Sequence, residues 1–127
     1  MGNKIMQVEN EDCVNIHKKL QRARTELKKM HLRKSGYDEV AKCAVYTFKD
    51  IEPAIEQISA KYKIMPFVVF NLSEVTLTLT DKEKPEEKVL FQLPIKGYNK
   101  GENICPIVSR LRCCLYLLAF DILYYSV

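Results

Sequence analysis

The sequence predicts one α+β domain in which N-terminal helices and a C-terminal helix flank a three-stranded antiparallel β-meander. Apolar residues recur every three or four positions towards both ends of the chain, whereas from residue 64 the pattern changes to a period of two, which is clearest in VTLTLT over residues 75–80. The 127 residues are 47% hydrophobic and 28% charged, which is ordinary for one folded unit with its own core. We therefore expect a single domain over residues 1–127, with residues 1–12 as a flexible N-terminus.

Residues 10–33 make up the first predicted helix. Its apolar seam steps by four and three residues and consists of Ile16, Leu20, Ala23, Leu27 and Met30. Asn10 or Asp12 can act as the N-cap, and Gly36 is suited to a left-handed cap beyond the C-terminal end. The seam predicts that one side of this helix packs against the core.

Positive charge is concentrated on the first helix. Residues 17–34 carry eight Lys or Arg against one Glu, a net of +7, whereas the whole chain carries +4. Four of these residues project opposite the seam within an arc of roughly 60°, namely Lys18, Arg22, Lys29 and Arg33. Such an arc is either a solvated helix face or a row of phosphate contacts along a polyanion, and the sequence leaves both interpretations open.

A short extended segment and a second helix are predicted next. β-Branched residues within residues 40–48 favour a strand or an extended loop. Asp50 is expected to be the N-cap of the helix, which places Pro53 in the first turn, where its missing N–H costs no hydrogen bond. The expected buried stripe, in a helix ending near Lys61, is Ile51, Ala54, Ile55 and Ile58.

Three strands are predicted after Ile64. Phe67 and Val69 lie in the first strand, residues 71–74 form a tight turn, and the second and third strands cover residues 75–80 and 88–95. We expect the sheet of residues 68–95 to pack on the first and last helices. A row of three threonines in the second strand is expected to face water, although a groove between that row and the first helix would be polar.

The loop after the third strand contains three candidate nucleic-acid contacts, Lys96, Tyr98 and Lys100. Its sequence, KGYNKGEN over residues 96–103, can wrap a phosphate with backbone amides and can stack a base on the tyrosine ring. Glycine mixed with polar residues is also typical of any surface connection. The sequence leaves open whether this loop binds nucleic acid or is an ordinary surface connection.

The closing helix, residues 104–125, is apolar on both sides. Its longest uncharged run is eight residues, far below the ~20 that a membrane span needs. It is therefore predicted to be a core helix or a helix shared with a second subunit. Because a small meander also leaves a sheet edge free, we expect a homo-oligomer without a membrane partner.

Several classes of protein are disfavoured by what the sequence lacks. The five cysteines show no paired spacing and no secretory signal precedes them, so we expect a reducing, cytoplasmic location. No phosphate-binding loop, hydrolase, metalloprotease or CxxC motif is present. Cys13 and His17 are four residues apart but have no further clustered ligands. We therefore predict no catalytic residues, no metal, no cofactor and no enzymatic activity.

Four segments together resemble the ERF (essential recombination function) family of phage single-strand annealing proteins. In chain order these segments are NIHKKLQRARTELKKMHLRKSG (residues 15–36), YTFKDIEPAIEQISAKY (46–62), VTLTLTD (75–81) and IVSRLRCCLYLLAFDI (107–122). They are similar to the opening helix, the short Asp-then-Pro helix, the central strand and the closing helix of the family. The similarity covers most of the chain from Asn15 onward.

The resemblance implies the fold of the Rad-type annealing domain and a non-catalytic function. That function is the binding and annealing of single-stranded DNA, or RNA, during phage recombination in the cytoplasm of a bacterial host cell. It further implies that Arg112, and Tyr116 one turn later, contact nucleic acid.

The closing helix also departs from the family pattern. Leu111, Cys113 and Cys114 replace the other members of the family's Gln-Arg-Arg-Tyr cluster. This departure keeps an alternative open: a phage-encoded inhibitor of a host defence system, of the anti-CRISPR type, which uses the same fold to bind a protein or ribonucleoprotein.

Overall fold

The computed structural model describes residues 15–96, 101 and 103–122, and it confirms the α+β class. Within these residues the helices are α1 (Ile16–Lys28), α2 (Phe48–Tyr62) and α3 (Cys105–Ala119). The strands are β1 (Gly36–Asp38), β2 (Cys43–Val45), β3 (Ile64–Phe70), β4 (Glu74–Asp81) and β5 (Lys88–Pro94).

The predicted meander is confirmed, with β4 in the centre of an antiparallel β3–β4–β5 sheet. The register places Val68 opposite Leu77, and Leu77 opposite Phe91. The sheet begins at Ile64, four residues before the predicted start, because β3 follows α2 directly after the left-handed residue Lys63. Asn71 closes the first turn by accepting hydrogen bonds from the backbone N–H groups of Ser73 and Glu74.

All three helices bury side chains in one core on the same face of this sheet. The central strand contributes Val75, Leu77 and Leu79, each fully buried, while the helices contribute Ile16, Leu20, Ala23, Leu27, Ile51, Ala54, Ile55, Ile58, Leu115, Ala119 and Phe120. Because side chains alternate across a strand, the threonine row points to the opposite face. The polar groove between α1 and the threonine row therefore does not form.

The first helix is shorter than predicted. It begins after Asn15, whose side chain accepts a 2.9 Å hydrogen bond from the Lys18 N–H, and it ends at Lys28 rather than at residue 33. The proposed caps Asn10 and Asp12 lie outside the described residues. After Lys28 the chain becomes extended, and Ser35 bonds to the Asp50 carboxylate through both its N–H and its hydroxyl. This anchor draws the segment towards α2 and away from the axis of α1.

Gly36 is a strand residue and not the predicted left-handed cap. It lies opposite Val45 in the β1–β2 hairpin. The extended segment predicted within residues 40–48 is the second strand of this hairpin. A Cβ atom at this position would lie 2.9 Å from Cγ2 of Thr47 and 3.2 Å from Cγ2 of Val45. The glycine is required here by close packing.

The second helix has a different N-cap from the one predicted. Thr47 is the N-cap, and Asp50 completes a capping box by accepting hydrogen bonds from the N–H and hydroxyl of Thr47. Pro53 therefore lies inside the helix, beyond the first turn. The predicted buried stripe of α2 is confirmed.

The third helix covers Cys105–Ala119 and is also shorter than predicted. Its deeply buried side is formed by Leu115, Tyr116, Leu117, Ala119 and the following Phe120, whereas Cys114 and Leu118 are exposed. Cys114 and Leu118 therefore lie on the outer side of this helix. None of the described helices combines the length and the apolar character that crossing a bilayer requires.

The outer face of the sheet is exposed and largely apolar. The exposed side chains beside the threonine row are Met65, Phe67 and Val69 on β3 and Leu90 on β5. Both outer strands contain a proline, Pro66 within β3 and Pro94 at the end of β5.

Candidate nucleic-acid interface

Three of the four predicted basic-arc residues lie together, two on α1 and the third, Lys29, at its C-cap. Lys18, Arg22 and Lys29 are exposed and fall within about 40° of one another around the helix axis. None of the three lies within 4.0 Å of a carboxylate of the described residues. Arg33 is exposed but lies beyond the helix end, so its place in the arc was wrongly predicted.

The remaining long basic residues of α1 are engaged in the fold. Lys19 is 6% exposed and its Nζ lies 2.7 Å from Oδ1 of Asp81 and 2.8 Å from Oε1 of Glu83. Arg24 donates a 2.9 Å hydrogen bond to the carbonyl of Ala119, and Lys28 pairs with Asp121. The basic residues of this region therefore form two sets. One set is bonded to other parts of the fold, and the other, Lys18, Arg22 and Lys29, is exposed to solvent.

The solvent-facing set borders a shallow depression of about 270 Å³ between α1 and the end of α2. Its lining consists of Gln21, Arg22, Thr25, Glu26, Lys29 and Tyr62. Glu26 is neutralised by an ion pair with Lys61, and this carboxylate raises the pKa of the Lys61 ammonium. The depression thus presents two unpaired cations beside a half-buried aromatic ring.

Tyr62 was missed in the sequence. Its hydroxyl lies 3.5 Å from Oε1 of Glu26, a residue of α1 that is 36 positions earlier in the chain. The place of Tyr62 at the depression therefore depends on how α1 and α2 pack against each other. Neither its neighbours nor its spacing carries a signal for that packing.

Comparison with protein-family models, curated proteins and solved structures finds no match. The site must therefore be interpreted from its own residues.

The loop candidates are only partly described. Lys96 is exposed and lies next to Ile107 and Arg110 around a small hollow. Tyr98 and Lys100 lie outside the described residues. Lys96 is not among the residues of the α1 depression.

The two residues implied by the family resemblance lie elsewhere, on α3. The Arg112 guanidinium carbon is 4.4 Å from the centroid of the Phe48 ring and 5.9 Å from that of Tyr116. Tyr116 is only 8% exposed, and burial raises the pKa of its hydroxyl although the Arg112 cation opposes this shift. The Tyr116 ring packs against the rings of Phe48 and Phe120, and its contact with nucleic acid stays a prediction.

An apolar groove of about 780 Å³ runs along the outer side of α3. It is lined by Tyr46, Leu93, Leu111, Cys113, Leu117, Leu118 and Ile122, with Arg110 and Asp121 among its polar members. Burial raises the pKa of the Cys113 thiol, which disfavours the reactive thiolate. Across the described residues no group of three or more His, Cys, Asp or Glu could hold a metal ion.

Proposed function

We propose that the protein binds single-stranded nucleic acid, DNA in the first place, at the depression between α1 and α2 and promotes annealing of complementary strands. The observation that carries this proposal is the pairing of Arg22 and Lys29 with the Tyr62 ring in one concave surface. The resemblance of the sequence to the ERF family supports the same function. No covalent chemistry is part of the proposal, and the bacterial cytoplasm is the compartment it implies.

The physical basis is charge neutralisation combined with stacking. Two strands repel each other through their phosphates, and cations placed along one backbone reduce that repulsion. An aromatic ring beside those cations can hold a base by its flat face without reading its identity, which suits a protein that must accept any sequence. A second strand can then sample its register against the exposed base edges.

The test is the salt dependence of binding to a single-stranded oligonucleotide. Changing Arg22 and Lys29 together to Ala should flatten the log–log salt slope by about 1.4, because each lost phosphate contact contributes about 0.7 for single strands. Tyr62→Leu should lower annealing with little change in that slope.

The matched control changes two exposed lysines on other elements, Lys49 and Lys88, to Ala. It removes the same charge and should leave most of the slope intact. Equal losses in both double variants would mean that net charge and not this surface binds the strand. Absence of salt-sensitive binding of the unmodified protein near ~50 mM salt would refute the proposal altogether.

A second candidate function, favoured by the groove along α3, is protein binding, as the inhibitor interpretation requires. Leu118 is 58% exposed and lines this apolar groove, and contiguous exposed apolar surface is typical of protein interaction sites. Leu118→Glu should abolish a stoichiometric protein or ribonucleoprotein complex in infected-cell extracts and leave strand binding unchanged. Sedimentation of the same variant would show whether the predicted homo-oligomer uses this face.

A further inference from the structure

The apolar groove along α3 extends beyond the helix itself. Its volume is about 780 Å³, and its wall includes Tyr46, Leu93 on β5 and the 58% exposed Leu118. Apolar surface of this extent is typical of an interaction site and not of a solvated helix face.

The end of α3 turns the chain into this groove. The Asp121 N–H donates to the carbonyl of Leu118 at 3.3 Å, and the Ile122 N–H donates to the carbonyl of Leu117 at 2.9 Å. Because Asp121 is left-handed, with φ 55°, these bonds form a Schellman motif. Both Ile122 and Leu117, the pair that such a motif usually brings into apolar contact, line the groove. The motif thereby fixes the Asp121 carboxylate at the C-terminal end of the groove.

The groove has charges of opposite sign at its two ends. Of the described residues that line it, Arg110 is the cation and Asp121 the anion. The two are 11 positions apart, about 16 Å along a helix, which is too far for an ion pair within one chain. Arg110 lies within 4.0 Å of no carboxylate of the described residues. Asp121 pairs with Lys28 at 3.2 Å, but both side chains are more than half exposed, and such a bridge is weak.

We propose that this groove binds a second copy of the chain, with the two α3 helices antiparallel about a two-fold axis between positions 115 and 116. Reversal about this point sets Arg110 of each copy opposite Asp121 of the other. A parallel pair would instead set like charges side by side. The same reversal sets apolar lining residues opposite one another, namely Cys113 opposite Leu118 and Cys114 opposite Leu117.

A two-fold interface has to be self-complementary, because the same surface is used on both subunits. The charges of this groove complement the groove itself, which favours a second copy over other apolar partners. α3 has 15 residues and is about 22 Å long, so a pair of such helices with short flanks resembles a small, reversible interface. The contact does not use Arg22 or Lys29, and the inference is therefore independent of strand binding at α1.

Sedimentation of the full-length protein over a range of concentrations tests the dimer. The 14.8 kDa species should give way to one of twice that mass. Leu118→Glu should raise the dissociation constant about tenfold or more. The matched control is Leu90→Glu, at a leucine that is 55% exposed on the outer face of the sheet, and it should leave the constant unchanged.

Two results of this experiment overturn the proposal. One is a parent protein that stays monomeric up to ~100 µM, including a monomer that captures a foreign protein through Leu118. The other is loss of the dimer in Leu90→Glu and not in Leu118→Glu, which would assign the interface to the sheet face.

The antiparallel arrangement is tested by mixing two charge variants. Arg110→Glu and Asp121→Lys, each alone, should weaken self-association about tenfold, because like charges then meet at both ends of the interface. Mixed in equal amounts, the two variants should form a heterodimer close to the parent in affinity, since opposite charges meet again at both ends. Absence of this recovery, with circular dichroism showing both variants folded, contradicts the antiparallel pairing.

Cys114 provides a second measurement that leaves the charges unchanged. It is exposed, and in the proposed pair the two copies of Cys114 lie within about one helical turn of each other along the axis. A short bismaleimide should therefore link the parent into a covalent dimer. Cys114→Ser should abolish this dimer and Cys105→Ser, at an exposed cysteine far from the axis, should keep it. The opposite pattern, or no covalent dimer, overturns the proposal. The Arg22 and Lys29 double variant should cross-link like the parent, which separates this result from failure of strand binding.

Discussion

Replacing Lys19 by methionine should be one of the most destabilising single changes in this protein. Lys19 connects α1 to the end of β4 across 62 residues of sequence, and its ammonium contacts the fully buried Asp81 carboxylate at 2.7 Å. Methionine keeps most of the length and apolar stem of lysine but removes the charge. Asp81 would then remain buried without its cation, and its Oδ2 already has no hydrogen-bond partner among the described residues.

Removing one partner of a buried ion pair costs about 3–5 kcal/mol, because the remaining charge keeps its desolvation penalty. A domain of this kind is stable by only about 5–15 kcal/mol, so the loss is a large share of the total. Replacing both partners, Lys19→Met with Asp81→Leu, should restore much of that loss because no buried charge is left.

Urea unfolding followed by circular dichroism measures these free energies. The control is Lys18→Met, the same substitution one residue earlier on the same helix at an exposed position, which should change stability by less than about 0.5 kcal/mol. If Lys19→Met costs no more stability than Lys18→Met, the Lys19–Asp81 pair does not stabilise the fold.

The same pair sets the pH range of stability. Burial disfavours the charged form of Asp81, but the hydrogen bond and charge of Lys19 outweigh it and hold the pKa of this carboxyl below its ordinary 3.8. Its contribution is therefore present above pH 3.8 and is lost as the pH falls through the lower folded value. Burial likewise opposes the Lys19 charge, yet Asp81 and Glu83 raise its pKa above 10.5, so this contribution disappears only as the pH rises through the higher folded value.

Three further predictions concern single positions. Asp50→Ala should lower stability by about 1–2 kcal/mol in urea unfolding, since the bonds to Thr47 and Ser35 at the start of α2 are lost. The hydrogen bonds of Asp50 outweigh its burial and lower its pKa to about 2. The stability that Asp50 contributes should therefore decrease as the pH of the parent protein falls from 3.8 towards 2. A difference in unfolding free energy between parent and variant that does not change over this range would contradict the prediction. Ser59→Ala should raise stability by about 1 kcal/mol by removing an unsatisfied hydroxyl, and a loss above that size would show that the hydroxyl has a partner. Gly36→Ala should lower the melting temperature because its Cβ would lie 2.9 Å from the Thr47 side chain; an unchanged value would mean that the hairpin shifts freely.

The elements that the sequence predicted well are those with a clear apolar period. The seam of α1, the stripe of α2 and the alternation in β4 each report burial directly, so the core could be assigned before the structure was known. The helix ends were less accessible. The N-cap of α2 depends on the Asp50 carboxylate, which accepts hydrogen bonds from Thr47 and also from Ser35, a residue beyond the end of α1.

The candidate sites show the same division between local and tertiary information. Net charge identified α1 as the basic element, but only packing shows that Lys19 is structural while Arg22 and Lys29 remain in solvent. Helix packing also places Tyr62 at the depression and buries Tyr116 in the core.

The two edge prolines affect how copies of this chain can meet. Proline has no backbone N–H, so a strand laid along β3 would find its hydrogen-bond ladder interrupted at Pro66, and one along β5 would find the same at Pro94. The exposed Phe67 and Val69 would otherwise make β3 a strong template for cross-β stacking. The two prolines therefore lower the risk that the exposed apolar sheet face leads to fibre growth at high protein concentration. Pro66→Val should cause aggregation that thioflavin fluorescence detects.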